Sequence, residues 1–256
     1  MDRPLSVTAL RCRTSDRTPG ASRGAEALAL ALDPQARLVG TFGDARIANW
    51  DDDLRDSHGC ILEAGGQVED MLAAGAFPVL TSSDCTICMT TFQAVTRHEP
   101  DARVLWLDAH GDYNTPDTTP SGFLGGMCLA ASCGVWDAGF EPSIDPARVL
   151  TCGVRDLDAG ERVLVDTTGV KNVRPSEVAS RLAGQKVYVH LDLDVLDPGI
   201  LPSQFAVPGG LSDTGLRTLL AEVKRECELI GLEVTAFEYP DGNVELVESI
   251  VRAVLP

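Results

Sequence analysis

Short apolar runs rich in β-formers alternate along the chain with stretches whose apolar residues recur every three to four positions. Read this way, strands are expected over 5–10, 38–42, 77–81, 103–107, 148–154, 186–191 and 229–237. Helices are expected over 21–32, 61–75, 87–98, 124–133, 176–182, 213–227 and 243–254. Strands that alternate with helices imply βαβ units, hence an α/β fold with a mostly parallel central sheet and helices on both faces. The runs VLWLDA and VYVHLDLD are apolar almost throughout, as suits central strands buried on both sides. In such sheets functional groups gather at the carboxyl edge, where strands end and loops begin.

Composition narrows the function classes. The 256 residues are 44% hydrophobic, enough for a substantial core, and no linker, internal repeat or low-complexity tract divides them. One catalytic domain over 1–256 is therefore expected. The formal net charge of −17 argues against nucleic acid and against anionic membrane as partners, because no basic patch exists to displace counterions. The first residues, MDRPLSVTALRCRTS, do not read as a secretory signal, and no stretch is apolar enough to span a bilayer. A cytoplasmic protein is expected, with most of its eight cysteines reduced and several acting as core filler. Asp51–Asp53 read as a solvated loop.

Two strand ends are loaded with acid. LWLDAHGDYN carries Asp108, His110 and Asp112 at alternate positions, and VHLDLDVLDP carries Asp192 and Asp194 in the same relation. In an extended backbone such side chains point to one side. Half-buried carboxylates crowded together must take up protons or a cation. Four aspartates and a histidine suit hard or borderline divalent metals, with two Mn²⁺ ions the natural cofactors. A pair of such ions lowers the pKa of a water held between them and makes a nucleophile near neutral pH. Either motif alone reads equally as a turn or a helix cap; both together, each after a buried-type strand, favour metal. His58 and His98 sit in polar contexts and are read as incidental, and His190 is expected to face away from the aspartates.

These motifs resemble the arginase/agmatinase (ureohydrolase) superfamily. WLDAHGDYNTPDTTPSG over 106–122 is similar to its first metal motif and substrate loop. HLDLDVLDP over 190–198 with VPGGLS over 207–212 is similar to its second, and FEYP over 237–240 to its late glutamate motif. The resemblance implies a three-layer arginase-like α/β fold, a binuclear manganese centre and hydrolysis at a guanidinium carbon. It implies that Asp108 and Asp192 bridge the metals, that Asp112 completes one ion, and that His110 with Asp194 completes the other. Glu238 would pair with the substrate's guanidinium-like group.

The departures are informative. Where the family reads Gly-Gly-Asp-His-Ser, this chain has Ser82-Ser83-Asp84-Cys85-Thr86, so Cys85 takes the place of a histidine ligand. A thiolate there adds negative charge and softens the site toward Zn²⁺, Fe²⁺ or Co²⁺. Cys85 and Cys88 also have redox spacing, a weak signal by itself, and Cys88 one turn on reads as core. The proton-shuttling histidine of arginases is replaced by Gly125. Proton transfer is then left to water or to Asp112, and room opens for an extra substrate hydroxyl. Asn114 and Ser121 match positions that grip an α-carboxylate, and Asp158 one that holds an α-amino group, with a helix cap as the alternative for Asp158. An amino-acid pocket beside an altered metal site resembles family members that convert Nω-hydroxy-L-arginine to L-ornithine and hydroxyurea in D-cycloserine biosynthesis. The partner implied is a small guanidino amino acid. An ordinary arginase, another guanidino-acid hydrolase and a degenerate metal-binding member are the alternatives; oligomeric state is left open.

Overall fold

The computed structural model describes residues 3–256. Eight strands form one sheet in the spatial order β2-β1-β3-β8-β7-β4-β5-β6, and every neighbouring pair is parallel. The strands are β1 Leu5–Leu10, β2 Arg37–Val39, β3 Phe77–Thr81, β4 Arg103–Leu107, β5 Val149–Cys152, β6 Lys171–Val173, β7 Lys186–Asp192 and β8 Glu228–Thr235. The helices are α1 Pro19–Leu32, α2 Trp50–Ala73, α3 Cys88–His98, α4 Cys128–Ser132, α5 Ala159–Thr168, α6 Pro175–Leu182, α7 Asp213–Glu226 and α8 Val244–Arg252. The two strands made last, β7 and β8, insert between β3 and β4. The chain thereby brings four distant strand ends side by side at the centre of the carboxyl edge.

The layers follow from period-two alternation. In β4, Leu105 and Leu107 join the core under α1, α6, α7 and α8, while Val104 and Trp106 join the core under α2, α3 and α4. In β7, Val187, Val189 and Leu191 take the first side and Tyr188 the second. Strands buried on both faces are why these segments read as unbroken apolar runs.

Most expected elements are present with altered ends. Strand β2 stops at Val39 and β5 spans only four residues. Neither α5 nor β6 was legible: β6 is three residues at the sheet edge, two of them exposed. Helix α2 begins eleven residues before the expected start, because Asp51, Asp52 and Asp53 form its first turn rather than a loop. Carboxylates there favour the positive end of the helix dipole. Asp53 is buried and ion-paired with Arg13 at 2.7 Å. Cys12 and Cys60 form a disulfide that ties the segment after β1 to α2, across 48 residues of sequence. The other six cysteines are free, so Cys85 and Cys88 are not a disulfide pair.

Candidate active site

The central strand ends surround one cavity of about 220 Å³. Cys85 comes from the turn after β3, Asp108, His110 and Asp112 from the loop after β4, Asp192 and Asp194 from the end of β7, and Glu238 from the loop after β8; all line it. Asn114, Ser121 and Asp158 line the same cavity. Every site residue expected from sequence is therefore gathered in one place, although the ranges of sequence separating them exceed a hundred residues.

The convergence is not produced as expected. Asp108, His110 and Asp112 lie beyond the end of β4 and are not extended alternation. Asp108 turns the chain by accepting the His110 N–H at 2.7 Å. His110 bridges to Asp156, and Asp112 adopts a positive φ of 49°. Leu129 and Ala130 N–H donate to the Asp112 carbonyl at 3.0 and 3.2 Å, which ties this turn to the start of α4. The second motif bends likewise: Asp192 ends β7 and accepts the Asp194 N–H at 2.8 Å. Asp194 accepts the Ala109 N–H at 3.0 Å, which fastens the two acidic turns together.

Within the cavity the donors fall into two overlapping groups. His110 Nδ1 lies 3.0 Å from Asp194 and 3.5 Å from Asp108. The Cys85 thiol donates to Asp192 at 2.9 Å, and its Sγ stands 3.2 Å from Thr235 Oγ1. Donor atoms of Asp108, His110 and Asp194 lie within 4.8 Å of one another, as do those of Cys85, Asp108 and His190. His190 is thus a correction: it does not face away. Positions 190 and 192 share a face of β7 by the same alternation that organises the cores, so His190 lies directly beneath Asp192. That signal was present in the sequence.

Electrostatics test whether a cation suits this donor set. Burial, reinforced by the charge of Asp194, pushes Asp192 up to about 7. Burial raises Asp112 well above the ordinary carboxylate range, with Asp108 adding to it, and raises Asp194 for the same two reasons. Burial and then Asp192 hold the Cys85 thiol well above its usual value. Burial opposes charge on His110, but its hydrogen bonds to Asp108 and Asp194 prevail and push it up to about 12. Acids that resist ionising and an imidazole that refuses to lose its proton are what a cluster of carboxylates becomes when protons alone balance it. Divalent cations fit these donors: carboxylate oxygens with an imidazole and a thiol.

Surrounding residues, missed in the sequence, hold the geometry. Arg155 donates to the carbonyls of Gly153, Asp194, Val195, Leu196 and Val207. It thereby fixes the second acidic turn and the loop beyond it. Glu161 in α5 accepts N–H groups from Tyr113 at 2.8 Å and from Asp158 at 3.1 Å. Burial lifts Glu161 to about 7. Asp158 is the residue preceding α5, as the cap reading has it, and it also lines the cavity, where it accepts from Asn114 Nδ2 at 3.0 Å. Ser121 is exposed at the rim, where its Oγ accepts the Phe123 N–H at 3.2 Å. Glu238 accepts from Thr18, and a side chain at Gly20 would displace its carboxylate. His58 stacks on Phe140 and His98 pairs with Glu69, both away from the cavity.

The room expected at Gly125 is filled. A Cβ there would lie 2.5 Å from the Phe123 ring and 2.9 Å from Asp84 Oδ2. Phe123 packs on Phe205, their centroids 4.7 Å apart, and Arg17 covers the Phe123 ring at 4.6 Å. An aromatic wall therefore stands where an imidazole would project.

An acid-lined cleft at the carboxyl edge of a doubly covered parallel sheet is where α/β enzymes hold their substrates. The Arginase family model matches residues 6–240. The chain is 32% identical over 252 residues to the N(omega)-hydroxy-L-arginine amidinohydrolase of Streptomyces lavendulae, covering 95% of this chain and 92% of that protein. It is 34% identical to the arginase of Bacillus caldovelox, over 80% of this chain and 73% of the relative. The structure of Bacillus subtilis arginase superposes with a TM-score of 0.83 at 25% identity, covering 99% of this chain and 98% of the other. The chain belongs to the arginase family and is a ureohydrolase, a hydrolase acting on linear amidines.

Proposed function

We propose that this ureohydrolase cleaves the guanidino group of an arginine-like amino acid, with Nω-hydroxy-L-arginine and water giving L-ornithine and hydroxyurea. The observation that carries the reading is the altered cleft: Cys85 stands among the acids where the family has histidine, and Phe123 fills the position the shuttle imidazole would take. The name of the Streptomyces lavendulae relative, similar along nearly the whole chain, supports the substrate.

In this reading Cys85, Asp108, Asp112 and Asp192 would hold one ion, and Asp108, His110, Asp192 and Asp194 the other. Two Mn²⁺ ions held there would supply a water of lowered pKa as the nucleophile. Glu238 sits across the cavity and pairs with the guanidinium-like end of the substrate, presenting its carbon to the acidic floor. Asn114, Ser121 and Asp158 grip the α-carboxylate and α-amino groups and set the length of chain that fits. The carbon gains oxygen from water and loses its bond to the ornithine nitrogen, which must gain a proton. Water or Asp112, which lines the cavity, would carry this proton in place of the missing imidazole. An N-hydroxyguanidine is less basic than a guanidine and its carbon is easier to attack, which suits a site with weaker proton delivery. On this reading the enzyme would serve D-cycloserine formation.

The test is hydroxyurea and urea release from Nω-hydroxy-L-arginine and L-arginine with Mn²⁺, with agmatine and guanidinobutyrate in the panel. A higher kcat/KM for hydroxyarginine is expected. A higher value for arginine makes the chain an ordinary arginase, the reading favoured by its similarity to the Bacillus caldovelox enzyme.

A further inference from the structure

Beneath the acidic floor lies a polar group with no exposure at all. His190 and Glu233, on adjacent strands β7 and β8, are both fully buried among apolar side chains. His190 Nδ1 and Glu233 Oε1 are 2.6 Å apart, and Tyr188 donates its hydroxyl to Glu233 Oε2 at 3.1 Å. Trp106 stacks on the imidazole, its ring 3.6 Å away and tilted by only 3°. The other imidazole nitrogen, Nε2, points upward and meets Cys85 Sγ at 3.2 Å. Trp106 in turn donates its indole N–H to Asp108 Oδ2 at 3.0 Å.

Isolated in a core, a carboxylate and an imidazole are costly to bury, and they persist only where their hydrogen bonds are completed. Here three of the four contacts are internal and the fourth is the sulfur. The stack on Trp106 removes the ring's rotational freedom, and Glu233 fixes which nitrogen faces upward. An imidazole held this way cannot turn from Sγ, so it determines where the sulfur sits relative to Asp108 and Asp192. Metal sites elsewhere use carboxylate–histidine pairs of this sort, and their loss costs about 10–100-fold in metal affinity.

We infer that His190, oriented by Glu233 and Trp106, is a positioning residue for Cys85: its Nε2 holds the sulfur in the place from which it binds metal. The inference rests on Cys85 being a ligand, as proposed above. A cysteine side chain is shorter and less directional than the histidine it replaces, so it needs this support from below.

The test uses the full-length protein loaded with Co²⁺, whose thiolate charge-transfer absorption reports the sulfur–metal contact apart from activity. The variants are His190→Leu, His190→Gln, Glu233→Gln and the milder Tyr188→Phe. His190→Leu and Glu233→Gln are expected to move and weaken the band and to lower Co²⁺ affinity about 10–100-fold. His190→Gln, which can return an amide nitrogen toward the sulfur, is expected to recover part of both. Tyr188→Phe tests the chain of contacts should the larger changes prevent folding, and is expected to shift the band in the same direction by less. X-ray absorption on the unaltered protein is expected to count one imidazole per metal pair, that of His110. A band present but identical in all four variants overturns the inference while leaving the metal reading intact. Two imidazoles per pair also overturn it, since His190 would then be a ligand. No thiolate band in the unaltered protein, together with a spectrum unmoved by Cys85→Ser, overturns the reading beneath it as well.

Discussion

The two sides of the donor cluster are built on opposite plans. On one side His110 reaches Asp108 and Asp194 from a loop, partly exposed, and is held by those same carboxylates. On the other side Cys85 lies buried at the cavity wall, with Asp192 and Thr235 around it and an imidazole supported by Glu233 below. The first side keeps the residue types the family motifs predict. On the proposed reading the second exchanges a ligand histidine for cysteine, and its polar support reaches down into the core between Trp106 and Tyr188. The cysteine is thus embedded in a surrounding set of residues, not an isolated substitution.

Asp108 belongs to both sides, so removing its charge should cost most. Asp108→Asn is expected to lower kcat/KM by about 10³-fold or more and to reduce bound Mn²⁺ below two per chain; metal analysis and single-substrate kinetics check this. Retention of even a tenth of the activity would mean the two sides do not share a carboxylate. Converting the second side into a copy of the first is the sharper experiment. Cys85→His is expected to favour Mn²⁺ over Zn²⁺ by about tenfold relative to the parent, near 1.4 kcal/mol, measured by competition titration. An unchanged preference would show that the sulfur does not set the metal.

Asn114 is buried in the cavity wall and belongs to neither group. Asn114→Ala is expected to raise KM about tenfold with little change in kcat, since it removes a contact to the amino-acid end that is equal in ground and transition states. A matching loss in kcat would put Asn114 among the residues that act on the chemistry.

Asp16 lines the same cavity and gives a pH signature of its own. It is buried, accepts from Ser83, and burial raises it from 3.8 to about 7, with Asp84 adding to the rise and Arg13 opposing it. The folded chain therefore keeps a proton that the unfolded chain gives up between pH 4 and 7, so stability falls as pH rises through that window. Urea midpoints of the chelator-treated protein should decline over that range, and less steeply in Asp16→Asn. Glu161 acts in the same direction, so the slope should shrink without vanishing. The smallest effect is expected for Cys88→Ser. Its thiol meets Ser132 Oγ at 3.3 Å in the core, and kcat/KM should change by no more than about twofold. A large loss would revive the Cys85–Cys88 redox pairing.

Much of this was legible because the central strands are buried on both faces and their acidic ends break an apolar run abruptly. β4 and β7 declare themselves in that way, and with them the positions of Asp108 and Asp192. Three features were harder for distinct physical reasons. The edge strand β6 and the adjoining α5 bury little, so no apolar period marks them, although α5 contributes Glu161 to the site. The turn at Asp112 depends on a positive φ that spacing alone does not reveal. The Phe123 ring over Gly125 is a matter of side-chain packing between residues two apart, where sequence shows only a missing imidazole. His190 differs from these, since strand alternation already puts it under Asp192.

The central claim is that side chains from both acidic turns and from Cys85 enclose a pair of cations. Crystals grown with Mn²⁺, with anomalous data collected on both sides of the manganese edge, test it directly. Two peaks are expected inside the cleft, each within coordinating distance of Asp108 and Asp192, one beside Cys85 and the other beside His110. A single peak, or peaks lying outside this cluster at full Mn²⁺ loading, would contradict the account.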